Sequence, residues 1–259
     1  MAITAIHLTT AASDTDADSR TTASISPTAN RLVLAAVLNA DTTTPATPTL
    51  AGNSLTWVQI ATILFDTIAL PLKRLTLFRA MGASPTAGSV TITAASSTGW
   101  GWSIAEFADV DTSGTNGSGA IVQSATNNAN SAIGLTVTLA AFADGVNNAA
   151  YGTFGLDELS SIQQEDGSTE LGQANGVSPT TAINSQWRLG DTDPEASFGS
   201  SNCAGIAVEI KAAPAAAGQP MMRRWGGVPH LTPGPVKRGR LWCVEHKLKV
   251  ASRNLLLTR

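Results

Sequence analysis

Charge is scarce in this chain. Only 14% of its 259 residues are Asp, Glu, Lys or Arg, against roughly a quarter in an average globular protein. Ala, Thr, Ser, Gly and Asn fill the difference. So weakly charged a surface suits a protein covered by partners better than a free monomer. Aromatic residues make up 5%, with a single tyrosine, Tyr151. Cysteine is reduced to Cys203 and Cys243. That excludes a disulfide framework or a cysteine metal site, and both read as free thiols. The longest purely apolar run, Leu32 to Leu38, falls far short of the roughly 20 residues that cross a bilayer. No membrane partner is therefore expected. The opening MAITAIHLTT has no basic leader, so synthesis in the cytoplasm is expected.

The means for chemistry are equally sparse. There are three histidines, His7, His230 and His246. Neither a G-x-S-x-G elbow, a P-loop nor a dinucleotide fingerprint occurs. Asp14, Asp16 and Asp18 alternate as in the opening of a calcium loop. Ser19 stands where the sharp-turn glycine belongs, and Ile25 where the bidentate glutamate belongs. A solvated acidic loop is expected, with no metal and no cofactor. Glu106 and Glu209 could form the paired carboxylates of a jelly-roll glycosidase, which stand roughly 5–9.5 Å apart. Each reads more simply as a glutamate at a sheet rim, and no enzymatic activity is expected.

What the chain has is alternation. Trp100 to Asp111 (WGWSIAEFADVD) is its richest run of large apolar residues. At period two it puts Trp100, Trp102, Ile104 and Glu106 on one face, and Gly101, Ser103, Ala105 and Phe107 on the other. That suits a central strand under another sheet, with Glu106 near the rim. Ala2 to Thr10 reads as an edge strand. Arg31 to Asn39 (RLVLAAVLN) reads as a strand buried on both faces. Leu55–Phe65, Leu72–Met81, Val90–Ala94, Ile121–Ala125, Ile133–Leu139, Ala149–Leu156, Ile183–Leu189, Ala196–Gly199 and Cys203–Ala212 follow as strands. Ile133, Leu135, Val137 and Leu139 are expected to point inward. Residues 157–179 read as a polar excursion. About a dozen short strands with no sustained helical period predict an all-β, jelly-roll-like two-sheet β-sandwich over residues 1–212. No internal repeat is defensible from the residues. IAEF at Ile104 and IAVEI at Ile206 share an Ile-Ala start and one glutamate, by equivalence of two core strands or by chance.

Residues 213–220 (APAAAGQP) read as a linker, and residues 221–259 as an extended C-terminal arm. Pro229, Pro233 and Pro235 favour extended backbone. From Pro214 onward the chain carries nine Lys/Arg and one acid, whereas residues 1–213 carry seven Lys/Arg and eighteen acids. Leu241 to Leu255 reads as a short amphipathic helix or, from Lys247, as a strand. Met222, Trp225, Leu231 and Trp242 are anchors too large for a solvating tail. Arg223, Arg224, Lys237, Arg238 and Arg240 would choose an acidic partner. Those nine side chains are the candidate partner-binding residues. The same charges could meet phosphates, but their spacing fits no nucleic-acid reading motif. Trp57, Trp100, Trp102 and Trp187 could alternatively stack on sugars, although tryptophan in a strand is more often core.

The segments NRLVLAAVLNA, LTWVQIA, LTLFRA, SIAEFADVD and GIAVEIKAA resemble β-sandwich proteins encoded among the virion genes of tailed bacteriophages. RRWGGVPHLTPGPVKRGRLW is similar to the C-termini of phage and prophage proteins of that type. The resemblance covers residues 30–242, and the residues after Trp242 depart from it. It implies a structural role in the virion, as a capsid decoration (cement) protein or a tail-associated protein. It further implies other virion subunits and self-association as partners.

Overall fold

The computed structural model describes residues 2–66 and 70–214. Close contacts divide the chain into two units, Met1–Ala216 and Ala217–Arg259. The arm, its nine candidate residues and the reading of Leu241–Leu255 lie outside the described residues.

Fourteen strands form the body: β1 Thr4–Ser13, β2 Ala17–Thr21, β3 Leu32–Asp41, β4 Thr49–Ala51, β5 Val58–Phe65, β6 Leu72–Ala80, β7 Thr91–Ser97, β8 Gly99–Ala108, β9 Ile121–Thr136, β10 Ala149–Leu156, β11 Gln163–Gln164, β12 Thr169–Val177, β13 Thr180–Leu189 and β14 Glu195–Ile210. The paired strands are antiparallel. The expected all-β sandwich is therefore what the chain forms.

The chain forms it twice. In the first half a five-stranded sheet runs β1-β8-β3-β6-β5, covered by a small sheet, β2-β7-β4. In the second half the large sheet runs β9-β14-β10-β13-β12. Its cover is made by the far end of β9, the near end of β14 and β11. Where the first half breaks its chain between β1 and β2 and between β7 and β8, the second keeps β9 and β14 continuous at 16 residues each. Both halves thus share one interleaved, jelly-roll-like order. The registers agree residue by residue. Val33 on β3 faces Glu106 on β8, and Ala150 on β10 faces Glu209 on β14. β5 is bulged against β6 between Gln59 and Ala61, and β12 against β13 between Glu170 and Gly172. A cis-proline stands immediately before both β6 and β13, Pro71 and Pro179. The internal repeat that the residues do not declare is plain in the topology.

The two large sheets pack face to face. β1 lies against β12, β8 against β12 and β13, β6 against β14, and β5 against β14 and β9. Exchanging the halves reproduces this set of neighbours, so the sandwiches meet about a pseudo-two-fold relation. Three cores result. One lies between the large sheets, with Leu34, Leu38, Leu75, Leu77, Phe107, Tyr151, Ile183, Ile206 and Val208. The others lie inside the first half, around Val37, Ile92, Trp100, Trp102 and Ile104, and inside the second, around Val137, Phe154, Leu156, Phe198 and Cys203. This layering explains why β3, β8 and β10 are buried on both faces.

Several local expectations change. The heavy face of β8 lies under its own small cover sheet, and its small face meets the opposite large sheet. A Cβ on Gly101 would sit 3.0 Å from Ile183 Cγ2, so bulk there would push the sheets apart. β9 fuses the expected strands at Ile121 and Ile133. Ile133 points outward, 74% exposed, while Leu135, Val137 and Leu139 are buried. Ser131, at φ 51°, falls where the β9–β14 register shifts. The polar excursion of residues 157–179 contains β11 and β12, the latter an edge strand with room for polar residues.

Candidate functional site

Glu106 and Glu209 occupy the same position in the two halves, and neither is a rim residue. They are 3% and 1% exposed. Each points to the outer face of its own large sheet, away from the shared core. Glu106 shares its face with Trp102 and Ile104, and Glu209 with Ala207. They lie on different sheets and point in opposite directions, so they do not form a glycosidase pair.

Their surroundings differ instructively. Glu106 Oε1 accepts from Arg31 Nη1 at 2.7 Å and Thr28 Oγ1 at 2.9 Å, and Oε2 accepts from Thr28 N at 2.8 Å. Glu209 Oε1 accepts from Asn148 Nδ2 at 2.6 Å, and Oε2 from Gln123 Nε2 at 2.7 Å. By strand register, Asn148 stands where Arg31 stands in the first half, one residue before the second strand. The first carboxylate is neutralised by a guanidinium. The second is held by two neutral amides, and among the described residues no Lys or Arg nitrogen pairs with it. A buried carboxylate without a cation is expensive, by several kcal/mol or more.

A cavity of about 720 Å³ opens over Glu209. Asn148, Asp144, Lys211, Val122 and Pro214 are among its walls. Lys211 is committed elsewhere: its Nζ lies 2.8 Å from Asp111 Oδ2. The side-chain hydrogen bonds from Lys211 and Ser113 hold the Asp111 carboxyl down, to about 2. The Asp144 carboxyl is also held below its ordinary range, by Asn147 and then by the Val146 amide. The walls thus combine apolar surface with two acids and one lysine that already has a partner.

The other candidates disperse. Asp14 Oδ1 accepts from Val177 N at 2.8 Å and Asp18 Oδ1 from Ser96 N at 2.9 Å, so one is tied to the end of β12 and the other to β7. Among the described residues no three of His, Cys, Asp and Glu converge to hold a metal ion. Trp100 and Trp102 are enclosed, at 0% and 5% exposure. Trp187 packs edge-on against Phe107, with ring centroids 6.2 Å apart, and half-buried Trp57 joins the first half's core. These four do not make a sugar platform. Cys203 is a free, buried thiol, and burial pushes it up. Sequence reasoning weighed Glu209 but missed the cavity above it. The signal was the pairing of IAEF with IAVEI, which carries the comparison with Arg31. Compared with known proteins, the chain matches no family model, no curated protein and no solved structure.

Proposed function

We propose that this chain is a non-enzymatic structural protein of a tailed-bacteriophage virion. In this reading it is a capsid decoration (cement) protein that docks on neighbouring subunits through its C-terminal arm. The observation that carries the reading is the separation of charge along the chain. Eighteen acids and seven bases lie in residues 1–213, and nine bases and one acid beyond. A body and an arm of opposite sign attract between copies. The resemblance of residues 30–242 to virion β-sandwich proteins points the same way. So does the use of Glu106, Trp100 and Trp102 in packing the interior, which leaves them no surface role.

The energetics of such an arm favour its tryptophans. Each buries roughly 150–250 Å², worth about 4–6 kcal/mol gross at about 25 cal/mol per Å². A surface ion pair adds only about 0–1 kcal/mol. Trp225 and Trp242 would hold the arm, and its basic residues would select where it lands.

The test is particle incorporation. Wild-type protein should appear at high copy number in purified virions, and protein cut at Gly218 should fold yet stay out of them. Normal incorporation of the shortened protein would end the arm model. A tail-associated, carbohydrate-binding role is the alternative. Low copy number together with binding on a glycan array would favour it.

A further inference from the structure

The two halves of the body answer the same structural problem differently. In the first, a carboxylate buried on the outer face of the large sheet is matched internally by Arg31. In the second, Asn148 replaces that arginine, and the space above the carboxylate is a cavity rather than a side chain. Thr28, which gives Glu106 two hydrogen bonds, lies four residues before β3, and the residue four before β10 is Gly145, where a Cβ would meet nothing within 4 Å. Glu209 therefore keeps acceptor capacity. A carboxylate has about four lone-pair sites, and two are occupied. A planar guanidinium fork fits such a remainder. The apolar part of the wall, with Val122 and Pro214, suits the aliphatic stem of the same side chain.

We infer that the cavity over Glu209 is a socket for an arginine side chain supplied in trans, and that its occupant is the Arg223–Arg224 segment of a second copy of this chain. The identification of the occupant rests on the arm-docking reading above. It follows from charge: the arm's nine bases face one acid of its own, while the socket's carboxylates, Asp144 and Glu209, are hydrogen-bonded only to amides and have no Lys or Arg partner among the described residues. It also follows from sequence. Met221 and Met222 precede the two arginines, and Trp225 follows them, giving apolar anchors on both sides of the charge. The partner's arginine would complete in the second half what Arg31 completes in the first.

The diagnostic variant is Asn148→Arg, which gives the second half its own internal guanidinium. In full-length protein it should keep or raise the melting temperature and weaken self-association at least tenfold, as read by sedimentation velocity over a concentration series. Glu209→Gln should weaken association similarly, and Arg223→Gln with Arg224→Gln should match it. Combining the arm pair with Asn148→Arg should add nothing further. Agmatine, a free alkylguanidinium, should raise the melting temperature of wild type and leave Asn148→Arg unmoved. If Asn148→Arg and Glu209→Gln associate like wild type while the arm variants do not, the arm docks elsewhere and the socket assignment falls alone. If agmatine protects wild type but the arm variants associate normally, the cavity takes a guanidinium whose source is not a second copy, and the assigned occupant is wrong. If agmatine protects neither protein, the socket itself is refuted.

Discussion

Ser103 Oγ and Ser185 Oγ stand 2.6 Å apart across the seam between the two large sheets. Both are buried, and Thr10 donates to Ser103 from the edge strand at 3.1 Å. Exchanging the halves maps this contact onto the strands of Leu77 and Ile206, which meet in apolar packing. One side of the pseudo-symmetric seam is therefore polar, and the other apolar.

Truncating either serine leaves the partner hydroxyl buried with fewer bonds. Ser103→Ala and Ser185→Ala should each cost about 1 kcal/mol in urea unfolding. The double variant should cost clearly less than the sum of the two. A strictly additive double-mutant cycle would show that the two hydroxyls are not coupled.

A second polar tie crosses the same seam. Lys73 Nζ lies 2.7 Å from Asp66 Oδ2, with both side chains nearly fully buried. Asn202 Nδ2 donates to Asp66 Oδ1 at 2.9 Å and to Asp157 Oδ2 at 2.7 Å. Asn202 lies within β14, between the register shifts that bend it, so the network joins the first half's β5–β6 turn to the second half. Lys73→Met should destabilise by about 3–5 kcal/mol, because it strands a buried carboxylate. Adding Asp66→Leu should restore much of that loss. Chemical denaturation of the three variants measures this.

Trp100 fills the first half's core, yet its Nε1 has no hydrogen-bond partner. Its contribution is area and shape. Trp100→Ala should cost about 3–5 kcal/mol, and Trp100→Phe only about 1–2 kcal/mol. A loss for Trp100→Phe as large as that for alanine would point to a hidden partner for the indole nitrogen. Thermal melts of the two variants decide it.

Stability should respond to acid on two sites of opposite sign. Asp111 is held at about 2, below the roughly 3.9 of an unfolded chain. Its contribution is full above pH 4 and is lost as pH falls from about 4 towards 2. Glu165 is raised by burial and then by the neighbouring Asp191. Its contribution is full below its unfolded value and is lost as pH rises through its folded value. Asp111→Asn should therefore flatten the acid limb of a melting-temperature profile. Glu165→Gln should gain on wild type as pH rises from the unfolded carboxyl value through the raised folded one and then level off, although Arg188, 2.7 Å away, limits the gain.

The sheet content was legible because period-two alternation survives in short windows. β3 declared itself through nine residues without a charge after Arg31, and β8 through its tryptophans. The joins were not legible. Polar residues such as Asn127, Asn128 and Asn130 run through β9 because much of that strand faces solvent, so two windows of alternation looked like two strands. The duplication was hidden for a related reason. The equivalent strands β3 and β10 share burial, not residues: LVLAAVLNAD fills with branched aliphatics the space that AAYGTFGL fills with Tyr151 and Phe154. Only β8 and β14 kept a visible trace, the glutamate of IAEF and IAVEI. The site was half legible. Glu209 could be singled out by eye, but Asn148 acquires meaning only beside Arg31, and that juxtaposition requires the register.

The body ends where its two halves are stitched together. Asp111 N donates to Lys211 O at 2.9 Å, Ala213 N to Asp109 O at 2.8 Å, and Lys211 N to Ala120 O at 2.9 Å, around a bridge between Val110 and Ala212. At Pro214 the described body ends, tied to both sandwiches at once. Tension along the chain beyond Pro214 would be carried first by this stitch and shared between two sheets, instead of peeling one strand from the end of one. In the arm-docking reading proposed above, that is a mechanical anchorage, and cutting the stitch should lower the force at which the body yields before it lowers the temperature at which it melts.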